Sequence, residues 1–210
     1  NNGLSSPTIE TIYQTGQQVF CSTPNGTYRS TNNGATWLKI HDMNSNAIVS
    51  KNGVIYIGNN SSIYKSFNQG QTWTNCTGNL SNPSVRVLMA DDEKVYMGNN
   101  YGVFTYDEDL NEWNSINNPH GGITELVLLP NSIIATSDFG VSVYHKLTKK
   151  WTIINDGLIN TSIKSACVGE NNIYIGSQYT SLWKSQVTDY LEMILIDLPN
   201  GGEEWKVGTT

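Results

Sequence analysis

The chain has 210 residues, enough to bury a sizeable core, and only 14% of them are charged. Its formal net charge of −6 gives no basic surface for a nucleic acid, and no apolar run reaches the length of a membrane span. Asn, Ser, Thr, Gly and Tyr are abundant, which favours short strands joined by polar turns over helices.

One ten-residue pattern occurs twice in the first half of the chain, at Tyr28 to Trp37 and at Tyr64 to Trp73. Both copies read aromatic, base, Ser, x, Asn, x, Gly, x, Thr, Trp. Asn and Gly suit a tight turn because both tolerate a left-handed backbone, and the flanking aromatic residues favour strands. We therefore expect each copy to be a β-hairpin whose turn is held together by side chains.

A second marker, an apolar strand that contains Tyr and ends in Gly, recurs at Ile55–Gly58, Val95–Gly98 and Ile173–Gly176. Val19–Ser22 and Ile133–Thr136 occupy the same place in their units, so both this strand and the Trp return every 36 to 40 residues. Four short strands in each period are typical of a β-propeller blade, so the sequence predicts an all-β chain of five blades. The expected blades are 1–40, 41–78, 79–118, 119–156 and 157–195.

The shared Ser-x-Asn-x-Gly-x-Thr-Trp pattern resembles the Asp-box, or BNR repeat, of sialidase-like β-propellers. The residues that carry the resemblance are Ser30, Asn32, Gly34 and Trp37 in the first copy, and Ser66, Asn68, Gly70 and Trp73 in the second. It implies a structural turn in each blade. Both copies carry Asn where the family usually has Asp, so the turn lacks a carboxylate, and neither a metal ion nor another cofactor is expected.

The pattern decays along the chain while the Trp remains. The third unit keeps the spacing from Tyr106 to Trp113 but loses the Ser and Gly, and the fourth, ending at Trp151, is shorter still. A Trp that persists after its turn is lost indicates a packing role between blades, and this outweighs a stacking platform for sugars.

The two ends of the chain suggest a piece of a longer protein. Asn1–Leu4 resembles Asn155–Leu158 at a later unit boundary, and residues 199–208 are similar to the opening Pro-Asn-Gly-Gly-Glu-x-Trp-x-x-Gly strand of immunoglobulin-like modules in bacterial secreted proteins. We expect 196–210 to be a linker and the start of such a module; the alternative is a tail lying on the last blade. The resemblance implies a secreted or cell-surface bacterial protein.

Catalysis is not expected from these residues alone. The sialidase mechanism that the resemblance implies needs three arginines around the substrate carboxylate, and the chain has only Arg29 and Arg86. Glycoside hydrolases need two carboxylates. The acidic candidates are Asp42, Asp91, Asp92, Glu93, Glu125 and Asp138. Among them, 91–93 and Asp138 are better explained as turn residues.

Neither the histidines nor the cysteines show the spacing of a metal site. The histidines His41, His120 and His145 lie apart from other ligand types. Cys21, Cys76 and Cys167 are expected to be buried small residues, and one disulfide of unspecified pairing stays open.

The remaining hypothesis is a non-catalytic binding or scaffold module that contacts a protein or glycan surface through the loops around the Tyr strands. The expected contact residues are Asn59, Asn60, Asn99, Asn100, Tyr101, Asp138, Phe139, Gln178 and Tyr179. One alternative is a part of a polysaccharide hydrolase whose site is completed by further blades, and another is a structural spacer. Open sheet edges would also allow self-association.

Overall fold

The computed structural model describes the backbone of residues 2–155, 158–169, 172–178, 182–190 and 193–196, with side chains up to Lys184. The expected immunoglobulin-like segment after Ile196 and the candidate residue Tyr179 lie outside the described residues. No helix occurs within the described residues. The all-β prediction is confirmed.

Within these residues, β1 to β20 form five four-stranded sheets, here numbered blades 1 to 5, and each sheet keeps its strands in chain order. Blade 1 contains β1 (Thr11–Thr15), β2 (Gln18–Thr23), β3 (Gly26–Ser30) and β4 (Leu38–His41). Blade 2 contains β5 (Ala47–Lys51), β6 (Val54–Gly58), β7 (Ile63–Ser66) and β8 (Thr74–Asn75). Blade 3 contains β9 (Val87–Ala90), β10 (Val95–Asn99), β11 (Gly102–Asp107) and β12 (Glu112–Ser115). Blade 4 contains β13 (Ile123–Leu128), β14 (Ser132–Ser137), β15 (Gly140–His145) and β16 (Lys150–Ile153). Blade 5 contains β17 (Ile163–Gly169), β18 (Asn172–Ser177), β19 (Leu182–Tyr190) and β20 (Met193–Ile196).

The first hairpin of blade 2 shows how local sequence sets these strands. Its turn residues Asn52 and Gly53 are both left-handed, with φ of 50° and 80°, as in the type I′ turn that suits the twist of antiparallel strands. Beyond the turn, Val49 lies opposite Tyr56, and such β-branched and aromatic pairs favour a pleated, half-buried surface.

Contacts between Cα atoms divide the chain into two compact units. Unit 1 contains Asn1–Met97 and Phe104–Asn114, and unit 2 contains Gly98–Val103 and Ser115–Thr210. Within unit 1, β1 lies beside β5 and β5 lies beside β9; within unit 2, β13 lies beside β17. Blades that share a unit therefore pack through their first strands.

Each unit has its own hydrophobic core. Tyr56 and Trp113 belong to the largest cluster of unit 1, whereas Ile134, Ile163 and Trp183 belong to the cluster of unit 2. Fully burying one such side chain stabilises the fold by about 1.5–3 kcal/mol, so stacked blades supply the stability that a lone four-stranded sheet lacks.

The recurring Trp joins a blade to the preceding one. The indole Nε1 of Trp73 donates to the Ile40 carbonyl at 2.8 Å, and that of Trp113 donates to the Cys76 carbonyl at 2.9 Å. In unit 2, Trp151 Nε1 donates to a carbonyl of the preceding blade at 2.7 Å. The predicted packing role of the Trp is confirmed at these three positions.

The cysteine prediction is confirmed at two positions and wrong at the third. Cys21 and Cys76 are buried, and burial raises their thiol pKa values to about 11 and about 12, so both remain neutral. Cys167 is exposed, because it lies on the outward face of β17, where exposed and half-buried residues alternate. All three thiols are free.

Candidate functional site

The two copies of the ten-residue pattern form the same closed ring of side-chain hydrogen bonds. Ser30 Oγ accepts the amide of Gly34 at 2.8 Å and donates to Asn32 Oδ1 at 2.9 Å. Asn32 Oδ1 also accepts the Thr36 amide, and Asn32 Nδ2 donates to Thr36 Oγ1, both at 2.9 Å. The second copy repeats the ring with the same atoms at 2.8–3.0 Å. We call residues 30–36 and 66–72 the box turns.

The backbone of each box turn is left-handed at two successive residues. These are Asn33 and Gly34, with φ of 54° and 84°, and Gln69 and Gly70, with φ of 59° and 87°. A Cβ at Gly70 would lie 2.9 Å from a side-chain carbon of Ile40 in blade 1. Glycine is therefore needed there both for its conformation and for the close approach of blade 1.

In blades 3 and 4 a tyrosine stands at the position that the box serine has in blades 1 and 2. Tyr106 packs against Trp113 and Tyr144 packs against Trp151, each with 5.0 Å between ring centroids. Tyr144 lies opposite Ile133 in the register where Ser66 lies opposite Ile55 in blade 2. The sequence signal was present, since each Tyr stands seven residues before its Trp, as the box serines do, but sequence analysis missed this substitution.

The basic residue before each box serine forms hydrogen bonds with the following blade. Arg29 Nη1 donates to the carbonyl of Gln69 at 2.7 Å and to its Oε1 at 2.9 Å. Lys65 Nζ donates to the hydroxyl of Tyr106 at 3.1 Å and lies 5.0 Å from the centre of that ring. These bases serve as ties between neighbouring blades, a role that the sequence did not reveal.

The turns between second and third strands contain the expected contact residues, and two of these cap their own turns. Asn59 Oδ1 accepts the amides of Ser61 and Ser62 at 2.9 and 3.1 Å. Asn99 is 1% exposed, and its Oδ1 accepts the backbone amides of residues 101–102 at 2.7 and 3.2 Å. Both are Asx-type turns, in which the side chain replaces a backbone partner.

Asn60 belongs to the same turn of unit 1 and connects it to the linkers of two blades. Its Oδ1 accepts Asn46 Nδ2 at 3.0 Å, and its carbonyl accepts the amide of Ser84 at 3.0 Å. Asn46 also donates to the carbonyl of Val85 at 2.9 Å. The turn at Asn60 is therefore fixed to its neighbours rather than free.

Four polar side chains meet at the corresponding end of unit 2, and we call them the unit-2 polar cluster: Asp138, Ser162, Lys164 and Gln178. Asp138 forms an ion pair with Lys164. Ser162 Oγ lies 3.0 Å from Asp138 Oδ1 and 3.2 Å from Gln178 Oε1. The cluster thus brings together two expected contact residues, Asp138 and Gln178, with two that sequence analysis did not single out.

Asp138 lies in the β14–β15 turn, as expected, but the capping bonds to Phe139 and Gly140 do not come from its carboxylate. Ser137 caps that turn instead, because its Oγ accepts the amide of Phe139 at 3.0 Å and donates to the Gly140 carbonyl at 3.3 Å. The carboxylate of Asp138 is thereby left to reach Lys164 of blade 5.

Two exposed aromatic side chains lie on the turns of unit 2. Tyr101 is 69% exposed and Phe139 is 62% exposed. The ring of Phe139 lies 6.4 Å from that of His120, and the turn before Tyr101 is tied to the same linker by a 2.9 Å bond from the Gly122 amide to the Asn100 carbonyl. Exposed aromatic residues beside fixed polar groups are typical of recognition surfaces.

The other acidic candidates each have different surroundings and different partners. Asp42 pairs with Lys39 at 2.7 Å, and Asp91 accepts the amides of Glu93 and Lys94 within its turn. Glu125 lies half-buried on β13, and burial raises its pKa, although the Leu126 amide opposes the shift. Among the described residues, no group of three His, Cys, Asp or Glu side chains could hold a metal ion.

Among the described residues, no helix is long and apolar enough to cross a membrane.

No protein-family model matches the sequence, and neither does any curated protein. The structure is similar to that of an ancestral GH74 enzyme, with a TM-score of 0.72 at 17% identity, covering 89% of this chain and 32% of that one. It is also similar to the extracellular domain of a candidate hybrid two-component system from B. thetaiotaomicron, with a TM-score of 0.70 at 15% identity over 85% and 27% of the two chains. A third similar structure is YCF48 bound to D1 peptide, with a TM-score of 0.66 at 16% identity over 88% and 71%.

These identities show a shared fold alone. The chain spans less than a third of the GH74 enzyme and about a quarter of the extracellular domain. Four-stranded sheets that pack through their first strands, together with these similarities, show that the chain has a β-propeller fold, as the sequence predicts.

Proposed function

We propose that this chain is a non-catalytic binding module, a β-propeller with Asp-box-type turns that belongs to a secreted or cell-surface bacterial protein. The observation that carries the proposal is the unit-2 polar cluster beside the exposed ring of Phe139. The two rings of box hydrogen bonds support the Asp-box assignment, and a similar extracellular domain supports the location.

The cluster offers a carboxylate, a carboxamide and a hydroxyl on loops, and a cation on β17. Such groups bind polar ligands by hydrogen bonds, and an exposed ring such as Phe139 adds an apolar face for stacking. A protein loop or a glycan fits this chemistry. The similar YCF48 structure contains a bound peptide, which supports the use of this fold for peptide recognition.

The environments of the acidic residues favour binding over hydrolysis. A glycosidase needs one carboxylate held ready as an acid and a second across the sugar. Asp138 is instead paired with Lys164, and Asp91 is used as a turn cap. An ion pair of this kind keeps a carboxylate charged and occupied.

The test is a binding measurement on a glycan array and a peptide library, followed by titration of the best ligand. Phe139→Ala and Tyr101→Ala should each weaken binding by about tenfold, the loss expected when one stacking contact of roughly 1.4 kcal/mol is removed. Phe67→Ala is the matched control, because Phe67 is equally exposed, at 63%, but lies outside the proposed site. It belongs to the box turn after β7, at the end of blade 2 opposite the β6–β7 turn. Equal affinities for all three variants would contradict the proposed site.

The second candidate function is that of a part of a polysaccharide hydrolase, and the environment of Glu125 favours it. Glu125 is half-buried with a raised pKa, as a general acid requires, and the structure is similar to that of a GH74 enzyme. Release of reducing ends from a polysaccharide by the chain, abolished by Glu125→Gln, would replace the binding proposal with this one.

A further inference from the structure

A cavity of about 490 Å³ lies in unit 1 between blades 1 and 2. It opens where the β1–β2 and β5–β6 turns lie, at Gly16 and Gly53, and the buried side chains of Phe20 and Ile55 close its bottom. Its volume falls within the roughly 300–1,000 Å³ range of small-molecule sites. A ligand of one or two rings would be held by a wall from each blade.

The walls of this cavity are polar and uncharged. They include the carboxamides of Gln17, Gln18 and Gln69 and the hydroxyls of Thr31 and Ser50, and no acid or base is found among the described lining residues. An ion would therefore leave its charge without a partner in the cavity, whereas a neutral polar ligand would meet both donors and acceptors.

Hydrogen bonds orient one of the carboxamides firmly and a second one weakly. Gln69 Oε1 accepts Arg29 Nη1 at 2.9 Å and Gln18 Nε2 at 3.4 Å. The acceptor side of Gln69 is thus occupied, and its NH₂ group is left to donate, while Gln18 retains its oxygen as an acceptor. The donor of Gln69 is therefore held in place before any ligand arrives, which lowers the entropy cost of binding.

Gln69 occupies a backbone position that is unfavourable for it. Its φ is 59°, and the same position in blade 1 is held by Asn33, a residue that tolerates a left-handed backbone better. Arg29 holds the carboxamide of Gln69 as part of the tie between blades 1 and 2. The same carboxamide lines the cavity, so the tie also places a polar group where a ligand would lie.

We propose that the cavity between blades 1 and 2 binds a short neutral saccharide. Each sugar hydroxyl both donates and accepts, which matches the fixed donor of Gln69, the acceptor of Gln18 and the hydroxyl of Ser50. The C–H faces of the ring would pack on the apolar bottom. This site shares no residue with the unit-2 polar cluster and does not depend on the function proposed for that cluster.

The experiment is a titration of the ¹⁵N-labelled chain with cellobiose, lactose and chitobiose, followed by NMR of the backbone amides. At least one of these disaccharides should shift the amides of Gly16 and Gly53 with millimolar affinity. Gln69→Gly should weaken that binding by about tenfold, a factor that corresponds to roughly 1.4 kcal/mol, while glycine keeps the left-handed turn folded. Ser50→Ala removes a lining hydroxyl and should also weaken binding.

Gln71→Ala is the matched control, because Gln71 is an exposed glutamine of the same box turn outside the cavity. Glucuronic acid and triglycine are the competing chemistries, an anionic sugar and a peptide. The proposal is overturned if no disaccharide shifts these amides, if either competitor shifts them more strongly, or if Gln69→Gly binds like Gln71→Ala. Shifts confined to the surroundings of Phe139 would support the unit-2 site and overturn this one.

Discussion

A single amide group decides the chemistry of each box turn. Asn32 uses its Oδ1 to accept from Ser30 and Thr36 and its Nδ2 to donate to the Thr36 hydroxyl. An aspartate at this position could make the same three hydrogen bonds and accept in all of them, because the Thr36 hydroxyl can rotate and become the donor. Asn in place of Asp therefore preserves the turn while removing one negative charge.

Asn32→Ala should lower the free energy of unfolding by about 1–2 kcal/mol, because several hydrogen bonds of a partly exposed turn are lost. Asn32→Asp should stay within about 0.5 kcal/mol of the original chain, since its acceptors remain. Urea unfolding curves followed by tryptophan fluorescence measure both changes. If Asp were as costly as Ala, the ring of side-chain hydrogen bonds would not be the reason for the turn's stability.

Stability should also fall in mild acid because of His41. Burial lowers the pKa of His41 from its usual 6.5, and the charge of Asp42 only partly opposes this. The neutral ring accepts the Met43 amide at Nδ1 and packs 5.2 Å from Trp73. The unfolded chain binds a proton at a higher pH than the folded chain, so this stabilisation is complete above pH 6.5 and is lost as the pH falls below it.

His41→Phe keeps an aromatic ring and should reduce the difference in unfolding free energy between about pH 7.5 and about pH 5.5. Burial also lowers the pKa of His120, so His120→Asn is measured alongside to separate the two contributions. An unchanged pH dependence in His41→Phe would show that its protonation is not coupled to unfolding.

At the scale of the element, blades 2, 3 and 4 each keep an indole bond to the preceding blade, while the contacts that close the outer hairpin change. Blades 1 and 2 use the box turns, whereas Tyr106 and Tyr144 pack on the Trp in blades 3 and 4. The indole bond to the preceding blade is present in both kinds. The decay of the pattern therefore leaves the packing between blades intact.

Trp113→Phe should lower the free energy of unfolding by about 2–4 kcal/mol. The Cys76 carbonyl loses its donor, and the smaller ring leaves a cavity because Trp113 is only 2% exposed. Trp37→Phe should cost less than about 1 kcal/mol, since Trp37 is only half-buried. Denaturant midpoints of the two variants give the comparison. Similar losses would mean that the indole bond between blades contributes little.

The sequence predicted the elements well because turn chemistry and the apolar character of a buried strand are local. The left-handed Gly34 and the apolar strand around Tyr56 are both readable from neighbouring residues. The ties between blades were not predictable in this way, since Arg29 and Gln69 are 40 residues apart and no local spacing joins them. The fixed orientation of Gln69 follows only from that distant contact.

At the scale of the whole molecule, the period of 36 to 40 residues was sufficient to predict a β-propeller fold. The candidate site was only partly predictable. Asp138 and Gln178 were named as loop residues, but Ser162 lies in the linker to the next blade, 24 residues from Asp138, and Tyr179 is outside the described residues. The ligand, self-association through sheet edges and the five blade boundaries stay predictions.

The stacking of blades through their tryptophans is the central structural claim, and the cavity depends on it because Trp73 joins the two blades that form its walls. Hydrogen exchange of the indole N–H groups, followed by NMR, tests it most directly. The indoles of Trp73, Trp113 and Trp151 donate to carbonyls of the preceding blade and should exchange slowly. Trp37, whose indole has no such partner within the described residues, should exchange rapidly. Equally rapid exchange at all four indoles would contradict the stacked arrangement.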